Sequence, residues 1–206
     1  NRREGAGRGY ATARRGQVGG RSSLLAALAA GGTPFVVGLQ TSKPLVLPPS
    51  AMAANAIVWA ANPGMTGGQA VAELLLGRIE PTGRLPISFA RHVGQQPTYY
   101  NQVRGQHGTR YADLTQEPAF AFGEGLSYTT VTYTDLVVET PDVRADGTVR
   151  AHVTLTNTGT RPALETVQVY VRDLVTSASW ADRELKTYTQ VEVAPGATVR
   201  VDLALT

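Results

Sequence analysis

An α/β segment followed by an all-β segment is the fold that this sequence predicts. Three observations point there. A short apolar run at residues 34–39 (PFVVGL) follows a helix-like stretch, as a buried parallel strand does. After about Tyr128 the hydrophobic period becomes two. Turn signals at residues 145–147, 157–159 and 195–196 then separate the alternating runs, the pattern of an antiparallel sandwich.

Residues 22–30 are rich in Ala and Leu and predict a helix, with Ser22 or Ser23 available as cap and Gly31 as its end. Residues 46–49 are extended, because they run into two prolines. Residues 51–61 fit either a helix or a helix followed by a short strand around Ile57, Val58 and Trp59. Residues 69–76 predict a helix closed by Gly77; its inner face is either Ala72, Leu75 and Leu76 or Val71, Leu74 and Leu75. Strands alternating with helices make a layered sheet with helices on its faces.

In the second half, Ala151, Val153 and Leu155 alternate with polar neighbours, as do Val167, Val169 and Val171, and then Val199, Val201, Leu203 and Leu205. Each such strand packs one face and wets the other. Residues 91–118 lie between the halves and are long, polar and rich in Gln, Arg, Gly and Tyr; loops of this length are functional or disordered. The domain expectation is a poorly ordered basic segment at 1–21, a partial α/β domain at 22–127 that includes this loop, and a β-sandwich at 128–206.

Composition narrows the function classes. The chain has 206 residues, 42% of them hydrophobic and 17% charged, and no cysteine, so disulfide and thiolate chemistry are excluded. The net charge of +3 is misleading: residues 1–21 carry +5 and the remainder sums to −2. Six arginines in that first segment invite a nucleic-acid reading, but no aromatic stacking platform accompanies them, and no nucleic-acid partner is expected. No apolar run is long enough for a membrane-spanning helix, and no membrane partner is expected. His92, His107 and His152 have neither paired spacing nor cysteine neighbours, so no metal or other cofactor is expected. PGMTGGQA (63–70) lacks the Gly-Lys-Ser/Thr ending of a phosphate loop.

Five motifs occur in order: PTGRLPISF (81–89), PAFAFGEGLSY (118–128), VTLTNTG (153–159), ETVQVYVRD (165–173) and RELKTY (183–188). The Gly-x-Gly at Gly123 and Gly125, set between apolar anchors, reads as a forced bend. This ordered series resembles the C-terminal part of glycoside hydrolase family 3, the β-glucosidase family. The resemblance implies the end of an α/β sandwich domain joined to an immunoglobulin-like, fibronectin type III-like domain. It further implies a retaining mechanism, whose aspartate nucleophile sits on an N-terminal (β/α) barrel that these residues do not contain, and a further hairpin beyond Thr206. A β-linked oligosaccharide or glucoside is the implied substrate of the parent enzyme, and the fragment alone is expected to be inactive. A β-xylosidase or β-N-acetylglucosaminidase parent would share much of this region.

By position in that resemblance, Glu4 is the candidate acid/base, although the Asp-Arg pair that follows in the family is absent; Gly9 and Tyr10 stand there instead. The alternative is a solvated glutamate near a chain end. In the long loop, Tyr100, His107 and Arg110 bring an aromatic ring, an imidazole and a guanidinium together, the groups a sugar site uses. Alternatively, Tyr100, Tyr111 and Phe120 staple the loop, and Arg84 and Arg110 pair with Glu80 and Asp113. The contrasting function class is a non-catalytic β-sandwich module that binds carbohydrate or protein.

Overall fold

A computed structural model describes residues 20–103, 114–144 and 146–206. Among the described residues two compact units emerge: one holds 20–75, 86–100 and 114–122, and the other holds 76–85, 101–103, 123–144 and 146–206. Residues 1–19 of the basic segment expected at 1–21, and the loop residues 104–113, lie outside the described residues.

In the first unit, helix α1 spans Gly20–Ala30. It starts before Ser22, so the two serines lie inside its first turn and do not cap it. Gly31 ends it, its N–H shared between the carbonyls of Ala27 and Leu28 at 3.0 and 3.1 Å. Strand β1 (Val36–Leu39) buries Val37 and Leu39. A crossover through the short helix α2 (Pro49–Met52) leads to β2 (Ala56–Trp59), which pairs parallel to β1 with Val36 opposite Ala56 and Leu39 opposite Trp59. Residues 51–61 thus divide into a helix end and a strand. Helix α3 (Gly67–Leu75) half-buries Val71 and Leu74 and exposes Leu75.

Beside the buried Val37, Leu39, Leu47, Ala51 and Ala90, this unit holds a run of edge-to-face aromatics. Trp59 meets Phe89 at 5.3 Å between centroids, and Phe89 meets Phe120 at 6.0 Å. Phe89 is almost fully buried, and it exchanges backbone hydrogen bonds with Phe120 and Ala119 at 2.8 and 2.7 Å. The ends of the long loop are tied by one side chain. Buried Gln95, in a single 3₁₀ turn (Val93–Gln95), accepts from the N–H groups of Arg91 and His92 and donates to the carbonyl of Thr115 at 2.6 Å.

The second unit is a sandwich of a three-stranded and a two-stranded antiparallel sheet. Strands β3 (Val131–Val138), β4 (Val149–Asn157) and β7 (Thr198–Leu205) form one sheet in the order β3-β4-β7; β5 (Ala163–Val171) and β6 (Glu184–Val193) form the other. Ala151, Val153, Leu155, Val201 and Leu203 from the first sheet pack against Ala163, Val167 and Val193 from the second. The alternation read from β4 and β7 holds. In β5 it fails at its end, where Val171 is 42% exposed, next to a register irregularity at which β6 carries the extra residue Lys186.

One buried amide holds the ends of these strands. Asn157 is fully buried, and all of its side-chain bonding capacity is used. Its Oδ1 accepts from Thr129 Oγ1 and the Gly159 N–H at 2.7 and 3.0 Å, and its Nδ2 donates to the carbonyls of Arg161 and Val193 at 2.7 and 2.9 Å. The segment Leu76–Leu85 is fastened to the sandwich by ions. Glu80 accepts from Ser127 Oγ and the Tyr128 N–H at 2.7 and 2.6 Å and faces Arg161 at 3.3 Å, while Arg161 donates to the Gly77 carbonyl at 2.6 Å. Arg84 pairs with Glu165 at 3.0 Å, with both side chains largely buried. The pairing of Arg84 with Glu80 expected from sequence proximity is therefore replaced by two longer-range pairs, because each carboxylate also answers donors from the sandwich. Among the described residues no helix is long and apolar enough to cross a membrane.

Asn157→Ala removes the partner of the buried Val193 carbonyl and of two half-buried backbone groups, at Gly159 and Arg161, and is expected to cost about 3 kcal/mol. Urea unfolding of the purified chain checks this, and an unchanged midpoint would show that water replaces the amide. Tyr133 carries a pH dependence. Its hydroxyl donates to Glu165 at 2.8 Å, and its pKa lies well above the ordinary value of 10.0, through burial first and then that hydrogen bond. The folded protein therefore keeps a proton that the unfolded chain releases, and the contribution is complete below pH 10 and lost as pH rises above it. Stability measured against pH should fall more steeply above about pH 10 in the parent chain than in Tyr133→Phe; equal slopes would refute the assignment.

Candidate functional site

The two motifs that flank the long loop meet each other. In the second unit the Leu85 N–H donates to the Glu124 carbonyl at 2.8 Å and the Gly123 N–H to the Leu85 carbonyl at 2.7 Å. The glycines between them are required by shape. Gly123 has φ +80°, and a Cβ there would run into the Gln168 and Tyr170 side chains. A Cβ on Gly125 would stand 2.5 Å from the Gly83 carbonyl oxygen. Gln168 completes the bend by donating to the Gly123 carbonyl at 2.9 Å while accepting from the Tyr170 hydroxyl at 2.7 Å. The Gly-x-Gly is a bend held against the sandwich strand β5.

Of the candidate sugar-binding residues, the structure describes Tyr100. Its ring stacks on Phe122 at 4.1 Å between centroids with 16° between planes. The stack uses one face of the half-buried ring and places it next to the Phe122 N–H, which donates to Ser88 Oγ at 3.1 Å. Neighbouring Tyr99 is 63% exposed. Glu4, His107 and Arg110 lie outside the described residues, as do Tyr111 and Asp113.

Most of the described carboxylates with resolved partners are engaged in structure: Glu80 and Glu165 as above, Asp182 with Arg172 at 2.6 Å, and Glu139 with Arg200 at 2.7 Å. Sequence spacing did not join His152 to any ligand, yet the fold sets it beside Glu139 and Asp202, with one potential ligand atom of each within 4.8 Å of the others. The antiparallel register brings this about, because His152 stands directly opposite Asp202 on β4 and β7. Arg200 bonds both Glu139 and Asp202, at 2.7 and 2.8 Å, so a guanidinium already holds the place a cation would take. Asp202 and then Glu139 hold the Arg200 guanidinium in its charged form, raising its pKa.

A second group of polar and aromatic side chains, which sequence reasoning did not single out, lies at the end of the β5–β6 hairpin. Val171, Asp173, Trp180, Ala181, Glu184 and Lys186 surround a cavity of about 370 Å³. The only signal of it in the sequence is a tryptophan in a polar stretch between two strands.

Residues 6–128 match the family model of the glycosyl hydrolase family 3 C-terminal domain, and residues 165–206 match that of the fibronectin type III-like domain. A periplasmic β-glucosidase of Salmonella typhimurium is 38% identical over 183 residues, which is 84% of this chain and 24% of that protein. A solved β-glucosidase involved in saponin metabolism from intestinal bacteria is 51% identical and superposes with a TM-score of 0.84 over 90% of this chain and 28% of its own. A β-glucosidase from Listeria innocua, solved in complex with glucose, is 28% identical with a TM-score of 0.82, over 90% of this chain and 27% of its own. The chain thus spans about a quarter of the length of the relatives it matches. With both the layered α/β elements and the five-stranded sandwich accounted for, this chain belongs to glycosyl hydrolase family 3 and carries that family's C-terminal domain together with a fibronectin type III-like domain.

Proposed function

We propose that this chain acts as the C-terminal part of a retaining β-glucosidase that releases terminal β-linked glucose from oligosaccharides or glucosides. The observation that carries the reading is the likeness, across most of the chain, to β-glucosidases, one of them solved with glucose bound. Retaining hydrolysis needs two carboxyl groups about 5–5.5 Å apart. The first, an aspartate on the barrel that these residues do not contain, attacks the anomeric carbon and forms a glycosyl-enzyme. The second protonates the leaving oxygen and then takes a proton from the water that releases the sugar. Glu4 is assigned that second role. Two carboxyl groups carry both steps, and no cofactor enters the reading.

Tyr100, His107 and Arg110 are assigned to the sugar. The stack of Tyr100 on Phe122 supports this by fixing the orientation of its ring. The tie that Gln95 makes between the two ends of the loop supports it further, since a binding loop works only if its base is held. An imidazole and a guanidinium on such a loop supply donors for sugar hydroxyls.

The test is a chimera in which this chain replaces the matching C-terminal quarter of a family β-glucosidase. The chimera should hydrolyse aryl β-glucosides, whereas the 206-residue chain alone should not. Turnover by the chain alone at the rate of a full-length relative would overturn the division of labour. In the chimera, Glu4→Gln should slow alkyl glucosides by about 10²–10⁴-fold. Dinitrophenyl glucosides, whose leaving group needs no proton, should be slowed far less; equal slowing of both would remove Glu4 from the acid role. His107→Ala and Arg110→Ala should raise KM for glucosides, and a KM unchanged in both would return the loop to a packing role.

A further inference from the structure

The cavity lies at the end of the β5–β6 hairpin, beside a break in strand pairing. Between the Val169–Thr187 and Tyr170–Leu185 pairs, β6 carries one extra residue, Lys186. Val171, the last residue of β5, forms an apolar wall of the cavity and is 42% exposed. The connecting loop is closed at its base. Arg172 pairs with Asp182 at 2.6 Å and donates to its carbonyl at 3.2 Å, while the Asp182 N–H donates to the Gln102 carbonyl at 2.7 Å. Ala181 bridges Val103, and the Val175 N–H caps onto Asp173 Oδ1 at 3.1 Å.

Within this frame Trp180 is 56% exposed. Its indole edge is fixed, because Nε1 donates to Glu184 Oε2 at 3.1 Å and Lys186 Nζ donates to the same oxygen at 3.0 Å. Those two hydrogen bonds, from Lys186 first and Trp180 second, keep the half-buried Glu184 carboxyl below its ordinary pKa and so ionised. The ring is therefore oriented by a charge-assisted bond at its edge, which leaves its faces for contact.

The chemistry of the lining selects the ligand. An apolar ligand would desolvate Asp173, Glu184 and Lys186 without giving them partners. An anion would meet two carboxylates, and a small cation would meet the Lys186 ammonium. A neutral polyol with one apolar face meets no such conflict: its C–H face lies on the indole and Val171, and its hydroxyls donate to the carboxylates and accept from the ammonium. The volume of about 370 Å³ falls in the range of small-ligand sites. We propose that this cavity is a carbohydrate-binding site on the β-sandwich, which takes a β-linked oligosaccharide by stacking one pyranose ring on Trp180. The choice of a β-linked glucan rests on the proposed function; the site itself uses none of Glu4, Tyr100, His107 or Arg110.

The test titrates the full 206-residue chain with cellotetraose and follows the indole N–H resonances of its two tryptophans. The Trp180 signal should shift saturably and the Trp59 signal should stay in place. Trp180→Ala should weaken binding, read by calorimetry, by about tenfold or more, the equivalent of roughly 1.4 kcal/mol. Lys186→Ala should also weaken it; this second variant carries the test if Trp180→Ala loses the circular-dichroism signature of the folded chain. No shift at Trp180 up to the solubility limit of the sugar overturns the proposal, as does unchanged affinity in folded variants at both positions. A shift produced by a peptide and not by cellotetraose overturns it too. Hydrolysis by the chimera neither requires this binding nor follows from it, so the two readings fail separately.

Discussion

The second unit depends on the burial of one neutral amide. Asn157 closes β4, and around its side chain converge Thr129 at the entry to β3, the turn into β5 and the end of β6. A buried amide is costly unless every donor and acceptor is met, so the surrounding backbone has little freedom to settle elsewhere. Its own backbone joins the same knot, with the Asn157 N–H donating to Ala197 and its carbonyl accepting from Gly196, at 3.0 and 2.9 Å. Apolar residues such as Leu155 and Val193 supply the burial, but hydrophobic packing is non-directional. The amide makes the arrangement specific: a one-residue slip of β4 would turn Asn157 outward and leave the carbonyls of Arg161 and Val193 unmet.

The sequence was legible where a single rule governed a residue and opaque where two competed. Strands β4 and β7 could be read because their inward positions are Ala, Val and Leu throughout. Strand β6 hid itself: Thr187 and Thr189 point half inward while Tyr188 stands 65% exposed, so the apolar signal is inverted over its middle. Strand β3 has no alternation to find, because Leu136, Val137 and Val138 are all exposed after a bulge and a positive φ of 53° at Asp135. Such a break along an edge strand blunts its tendency to pair with other chains. The bend at Gly123 was legible because only glycine tolerates both its φ and the contact with β5. The partners of Arg84 and His152 were not legible, since each lies on another strand. Arg84 and Glu165 are 81 residues apart in sequence, and His152 meets Asp202 only through the register of two strands.

In the second unit, Arg84–Glu165 and Arg161–Glu80 are shielded pairs, which contribute less net stability than their Coulomb attraction suggests because both charges lose water. They contribute geometry instead. Each carboxylate has two oxygens, and in both pairs the arginine takes one while hydroxyl or backbone donors take the other. With their oxygens turned to arginine, hydroxyl and backbone groups of the second unit, both carboxylates are taken up in fixing the segment Leu76–Leu85.

Strand β5 serves two purposes at its end. Gln168 and Tyr170 stand two residues apart on one face of the strand, where the Tyr170 hydroxyl donates to Gln168 and Gln168 in turn holds the Gly123 carbonyl. Val171, the last residue of the strand, walls the cavity beside Trp180. Arg183 lies over the Tyr170 ring at 5.8 Å and fixes it from the loop side. The extra residue of β6, Lys186, donates with Trp180 to the same oxygen of Glu184. An indole held at its edge by a carboxylate while more than half of it stays open to solvent is the physical reason to regard the hairpin end as a site.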